Sequence, residues 1–185
     1  MAQTEHLGLH PWEATDSFLR TDFNEDFAKI DGAVLWDKLW AAEITQEAAQ
    51  LELDLSQRDM GEYFALLLIG RLGSDGVQLR INGGADQVYQ NHRYFNGSYF
   101  ADGAGSGAAL GSGGAAWGGC FLDWLVPAGG GVGLFSSNVY WSGSTPTAQH
   151  ALGMFSDTAW EEITKLTFSG ALKPGVRLAV YGLRV

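Results

Sequence analysis

The side chains that could do chemistry in this sequence are a scatter of titratable groups and a set of aromatic and amide residues in turn-rich stretches. His6 and His10 stand four apart, but Gly8 and Pro11 argue against the helix that would bring them together. His92 and His150 have no partner at metal-ligand spacing. A single cysteine, Cys120, excludes an intramolecular disulfide framework and a multi-cysteine metal site. Its run, Cys120-Phe121-Leu122-Asp123-Trp124-Leu125-Val126, predicts a buried structural thiol rather than a nucleophile. Asp123 is an acid in that apolar run, and strand alternation predicts that it faces outward. Glu161 and Glu162 read as solvated. Any two carboxylates could be folded to glycosidase-like separation, and the sequence does not select them. No glycine-rich stretch ends in Gly-Lys-Ser/Thr, and Gly105-Ser106-Gly107 and Gly111-Ser112-Gly113 are loop repeats without the strand and helix of a nucleophile elbow. No catalytic residue, metal site or cofactor is expected.

The aromatic and amide set comprises Tyr89, Asn91, His92, Tyr94, Phe95, Asn96 and Tyr99, and later Asn138, Tyr140 and Trp141. Aromatic faces stack on sugars while amides hold hydroxyls; the same residues anchor protein interfaces, and they also fill β cores. All three uses stay open. The candidate ligand-binding residues are Tyr94, Tyr99, Trp117, Asn138, Tyr140 and Trp141.

The elements that would position them are mainly β. At 185 residues, 46% hydrophobic and 17% charged, the chain is long enough and apolar enough to bury a core. A net charge of −10 with 11 basic residues argues against nucleic acid and anionic membranes as partners. No basic-then-apolar leader opens the chain and no apolar run has membrane-spanning length, so synthesis in a cytoplasm without an export address is expected. Residues 1–22 read as an extended arm whose Leu7, Leu9 and Trp12 need a surface. Phe23, Phe27, Ile30 and Val34 then fall on one helical stripe, with Asp22 as N-cap and Glu25 in capping-box position. Gly32 weakens that helix by ~1 kcal/mol relative to alanine. Leu35, Trp36, Leu39, Trp40 and Ile44 continue the apolar face to about Ala49, so residues 1–48 form an arm and amphipathic helix. The candidate assembly interface is Phe23, Phe27, Ile30, Val34, Trp36, Leu39 and Trp40. It packs either on the chain's own β domain or on copies and neighbours.

Residues 49–185 carry strand signals separated by turn residues, the pattern of an antiparallel β-sandwich, jelly-roll-like. Leu51, Leu53 and Leu55 alternate with polar residues, as do Val77, Leu79 and Ile81. Tyr63–Leu72 is nearly all apolar, and its glycine end favours a covered strand over a buried helix. Val88-Tyr89, Tyr94-Phe95, Phe121–Val126, Gly133–Trp141 and Ala151–Phe155 follow. Ala101–Gly119 is almost all Gly, Ala and Ser and reads as a long surface loop. Two alternating runs around Lys173-Pro174-Gly175 predict a closing hairpin over Ile163–Val185.

Two stretches carry a family resemblance. Trp12–Asp31 contains Thr15-Asp16-Ser17-Phe18 and Asn24-Glu25-Asp26-Phe27-Ala28-Lys29-Ile30-Asp31, and resembles the attachment segment of bacteriophage tail proteins. Ile163-Thr164-Lys165-Leu166-Thr167-Phe168, a turn, and Arg177-Leu178-Ala179-Val180-Tyr181-Gly182-Leu183-Arg184 resemble the closing strands of phage tail and tail-fibre (tail-tip) proteins. The middle has no residue-by-residue match. The resemblance implies a non-enzymatic structural virion component of a tail fibre or tip, located in the virion tail and assembled in the host cytoplasm. It implies attachment by the N-terminus to other phage tail proteins, a homo-oligomer with a trimer as the usual state, and a C-terminal β-domain that recognises a host surface glycan or protein. A freestanding carbohydrate-binding module or lectin is the alternative, and a glycan depolymerase a third reading.

Overall fold

Two neighbouring stretches with similar apolar spacing fold differently. The computed structural model describes residues 9–11, 20–32, 35–71, 77–84, 89–95, 98–105, 108–110, 120–142 and 145–185. Helix α1 (Arg20–Gly32) carries Phe23, Phe27 and Ile30, whereas Trp36–Glu43 is strand β1. The helix therefore stops well short of Ala49. Glycine is a poor continuation residue, and beyond it Leu39 and Trp40 pack against a β core, with the Trp40 ring stacked on Phe168 at 5.6 Å. Burial in a sheet overrides the helical spacing. Asp22 lies within the first turn rather than at the N-cap, an acidic position the helix dipole favours. The chain divides into two compact units, Met1–Asp37 and Lys38–Val185.

In the first unit, the segment Leu9–Pro11 is tied to α1. The Asp26 carboxylate accepts from the His10 backbone amide at 3.0 Å and meets its Nδ1 at 2.9 Å. Lys29 stands 3.8 Å from the same carboxylate. The other arm residues named above, Leu7 and Trp12, lie outside the described residues, as does Val34.

In the second unit the remaining strands are β2 (Ala48–Asp54), β3 (Tyr63–Arg71), β4 (Val77–Ile81), β5 (Tyr89–Phe95), β6 (Ser98–Gly105), β7 (Ala108–Leu110), β8 (Cys120–Ala128), β9 (Gly131–Ser142), β10 (Thr145–Phe155), β11 (Lys165–Leu172) and β12 (Arg177–Arg184). They form an eight-stranded sheet ordered β1-β12-β3-β8-β9-β10-β5-β6 and a four-stranded sheet ordered β2-β11-β4-β7. The registered pairs are antiparallel. Alternating residues of both sheets, among them Leu66, Leu68, Leu79, Ile81, Leu125, Leu134, Phe168 and Val180, make one hydrophobic core. The mainly β, antiparallel character expected for residues 49–185 is thus present.

The Pro174-Gly175 turn does not close a hairpin. β11 pairs with β2 and β4 in the small sheet, and β12 pairs with β3 in the large one. The turn instead hydrogen-bonds to the crossing between β1 and β2: Gly175 N donates to Ile44 O at 2.8 Å and Ile44 N to Val176 O at 2.9 Å. Turn residues specify a reversal of direction, and which neighbours the flanking strands find is decided by the core. A two-stranded ribbon, β1-β2 beside β12-β11, passes from one sheet to the other at this point. Trp160 fixes another crossing, donating from Nε1 to Met60 O at 2.8 Å and to Tyr63 O at 3.0 Å.

The glycine- and alanine-rich stretch is partly strand. β6 and β7 reach into it, and Leu110 is fully buried opposite Val77. Each lies at the edge of its sheet, where pairing on one side needs backbone rather than bulky side chains. Residues 111–119, including Trp117, lie outside the described residues.

Candidate functional site

Strand β8 decides which side chains reach solvent. Phe121, Asp123 and Leu125 are buried, and Cys120 and Leu122 are exposed with Trp124 half-buried beside them. Both earlier expectations for this strand are corrected: Cys120 is exposed and Asp123 is buried. Asp123 was the one polar marker in the run, and it gives the wrong phase because the residues that flank it on both faces are apolar. Gly70 sets the phase, because the Phe121 ring occupies the space where a β-carbon at Gly70 would stand.

Asp123 is 0% exposed, opposite Leu68 on one side and Ser136 on the other. Its Oδ1 accepts from Ser137 N at 3.2 Å, while Oδ2 has no hydrogen-bond partner. Burial pushes the carboxyl up to about 7, against the weaker pull of the Ser136 hydroxyl and the Ser137 amide. The hydroxyl is near enough to act on the charge but is not placed for a hydrogen bond of good geometry. A carboxyl sealed in an apolar core cannot reach a substrate, so its raised pKa bears on stability.

Among the described residues of β12, β3, β8, β9 and β10, the outward phase is largely apolar. One row of ladder partners runs Tyr181, Leu67, Trp124, Phe135, Leu152 across five strands, and the next runs Ala179, Ile69, Leu122, Ser137, His150. Phe135 and Leu152 are each 51% exposed. A hollow of about 220 Å³ opens on this face, lined by Leu122, Trp124, Phe135, Ser136, Ser137, His150 and Leu152. Ser136, Ser137 and His150 are its polar residues, set among aromatic and aliphatic walls. Such a surface can take an apolar anchor side chain or the face of a sugar ring. An antiparallel sheet with one face on the core ordinarily presents polar residues on the other.

The register places the described sequence-named ligand residues on strands β5, β6 and β9. Tyr94 and Tyr99 are direct partners across β5 and β6, and Tyr94 continues the row of His150. Asn138 stands opposite Phe121 and Gln149, in the neighbouring row. Tyr140 and Trp141 lie toward the β9–β10 turn, opposite Thr147 and Pro146. For these residues the backbone register alone is described. Trp124 and Phe135 were missed as surface aromatics because large apolar residues flank them on the opposite phase, Phe121 and Leu125 in β8 and Leu134 in β9.

Of the assembly residues, Phe23, Phe27 and Ile30 share one face of α1, with Phe27 53% exposed and its ring edge-on to Phe23 at 4.4 Å. They line a hollow of about 220 Å³ with Leu9, His10 and Asp26. Burial alone would raise the Asp26 pKa, but the His10 hydrogen bonds and the Lys29 charge outweigh it and hold the carboxyl below its ordinary value. Trp36 is exposed at the start of β1. Leu39 and Trp40 pack against the β core, which accounts for their apolar character without a partner.

Among the described residues no three His, Cys, Asp or Glu side chains converge, and no helix is long and apolar enough to cross a membrane. Comparison with protein-family models, curated proteins and solved structures finds no match for this chain.

Proposed function

We propose that the chain is a structural component of a bacteriophage tail, a fibre or tip protein of the virion. In this reading the N-terminal unit attaches it to other tail proteins or to its own copies, and the β unit meets the host surface. The finer fold that accompanies it is a jelly-roll-like sandwich, in keeping with the ribbon that folds from the large sheet into the small one at Ile44 and Gly175. The observation that supports the reading best is the apolar outer face of the large sheet. Contiguous exposed apolar surface of this kind marks an interaction site, and the aliphatic walls around Trp124 and Phe135 suit a protein partner. The role is one of binding, with no catalytic step and no cofactor.

The test is binding of labelled full-length chain to bacterial envelope fractions and to purified surface polysaccharides. Saturable binding that Phe135→Ser abolishes is the expected result. Binding that is indifferent to Phe135→Ser would remove the sheet face from the reading.

A freestanding carbohydrate-binding module is the second reading, favoured by the Ser137 hydroxyl and His150 ring beside the aromatic walls. It predicts polysaccharide binding by a monomer. A glycan depolymerase is the weakest reading, since the carboxyl pushed toward neutrality, Asp123, lies in the core.

A further inference from the structure

The apolar outer face of the large sheet ends in a row that is not apolar. Arg177 lies directly opposite Arg71 across β12 and β3, and Arg71 directly opposite Cys120 across β3 and β8. Two like charges facing each other on adjacent strands disfavour the pairing. In a chain with 11 basic residues and a net charge of −10, this adjacency calls for a physical account. Glu43 on β1 answers half of it: Arg177 Nη2 donates to Glu43 Oε1 at 3.0 Å, with both groups well exposed. The Arg71 guanidinium makes no hydrogen bond or ion pair with any described residue.

The same residues border a hollow of about 610 Å³. Its lining is apolar where small side chains leave room, from Ala41, Ile69 and Ala179, and charged at Arg71, Arg177 and Glu43. The volume lies within the ~300–1,000 Å³ usual for small-molecule pockets. Two guanidinium groups and one carboxylate leave the site with one net positive charge, which matches a monoanion. A dianion such as phosphate would be undercompensated beside Glu43 and on a molecule this acidic. A ligand made mostly of hydroxyls would find few polar partners on the alanine and isoleucine walls.

We infer that this hollow binds a small organic monocarboxylate, its carboxylate held by the Arg71 fork beside Arg177 and its apolar body lying against Ala41, Ile69 and Ala179. Arginine presents two parallel N–H donors to a carboxylate, and a bound anion relieves the repulsion between the two guanidiniums. The inference stands whether or not the chain belongs to a phage tail.

Cys120, the sole thiol of the chain, lines the hollow and reports on its occupancy. The experiment titrates full-length protein with sodium benzoate, benzyl alcohol and inorganic phosphate by calorimetry, and follows the rate of Cys120 alkylation in parallel. Benzoate is expected to bind saturably and slow alkylation, with benzyl alcohol and phosphate at least about tenfold weaker. Arg71→Gln and Arg177→Gln should each weaken benzoate by about tenfold or more, and the distant Arg58→Gln should leave it unchanged. Equal affinity for benzyl alcohol, tighter binding of phosphate, unaltered affinity in Arg71→Gln, or alkylation unaffected by saturating benzoate would each overturn the inference.

Discussion

A β-carbon placed on Gly70 would lie 2.3 Å from Cε1 of Phe121 and 2.8 Å from Cδ2 of Leu178, because the Phe121 ring rests directly on the Gly70 backbone. Gly70 and Phe121 are partners across β3 and β8, so this contact locks the phase of β8. With Phe121 inward, Asp123 follows it into the core and Leu122 and Trp124 turn to solvent. One close approach thus determines both the buried carboxyl and the apolar outer face.

Gly70→Ala should therefore destabilise the fold by about 1–3 kcal/mol, the usual cost of overpacking a filled core. Gly182→Ala should behave alike, since its β-carbon would stand 2.4 Å from the Tyr63 ring. Urea unfolding measures both. A midpoint unchanged from wild type in Gly70→Ala would show that the Phe121 ring is free to move and does not set the phase.

Asp123 makes stability depend on pH in a direction opposite to a paired carboxylate. Its folded pKa of about 7 lies above the ordinary 3.8, so between those values the folded state holds a proton that the unfolded state has released. Stability then falls as pH rises from about 4 to about 7, and is level in this respect above. Asp123→Asn keeps an acceptor for Ser137 N and removes the buried charge. It should raise stability at pH 8 by on the order of 1–3 kcal/mol and matter much less at pH 4. Chemical denaturation at the two pH values decides; an equal loss at both would assign Asp123 a different role.

Trp160→Phe should cost about 1–3 kcal/mol, because it removes the side-chain donor that the Met60 and Tyr63 carbonyls share and leaves Met60 O with the Tyr63 amide. Those carbonyls sit where β2 crosses to β3, so slower hydrogen exchange is expected in wild type than in the variant around Met60–Tyr63. Equal exchange in the two proteins would mean that solvent or another donor already serves these groups.

Strand existence was legible wherever polar residues marked one face, as in Leu51–Leu55 and Val77–Ile81. Phe121–Val126 declared a strand, but its one polar residue, Asp123, predicted the wrong phase, since phase came from a distant glycine. Pro174-Gly175 declared a reversal, yet pairing partners are a property of the core, and the two flanking strands went to different sheets. Trp36–Glu43 read as helix because Leu35, Trp36, Leu39 and Trp40 fit a 3.6-residue period, a spacing that the β12 edge overrode. The outer-face hollow was illegible for the same reason as the Asp123 burial: Trp124 and Phe135 alternate with residues on the opposite face that are equally able to be core, Phe121 and Leu125 in one strand and Leu134 in the other. The Arg71–Arg177 adjacency requires register, which no local pattern contains.

The measurement that bears most directly on an assembling tail component is the solution mass of the full chain by light scattering, at tens of micromolar. A trimer at three times 19.9 kDa is the state the tail reading favours, with Phe23→Ser/Phe27→Ser falling to the mass of one chain if, as that reading proposes, the exposed face of α1 makes the contact. A wild-type chain that stays at 19.9 kDa across that range would contradict assembly through α1 and bring the freestanding binding module forward.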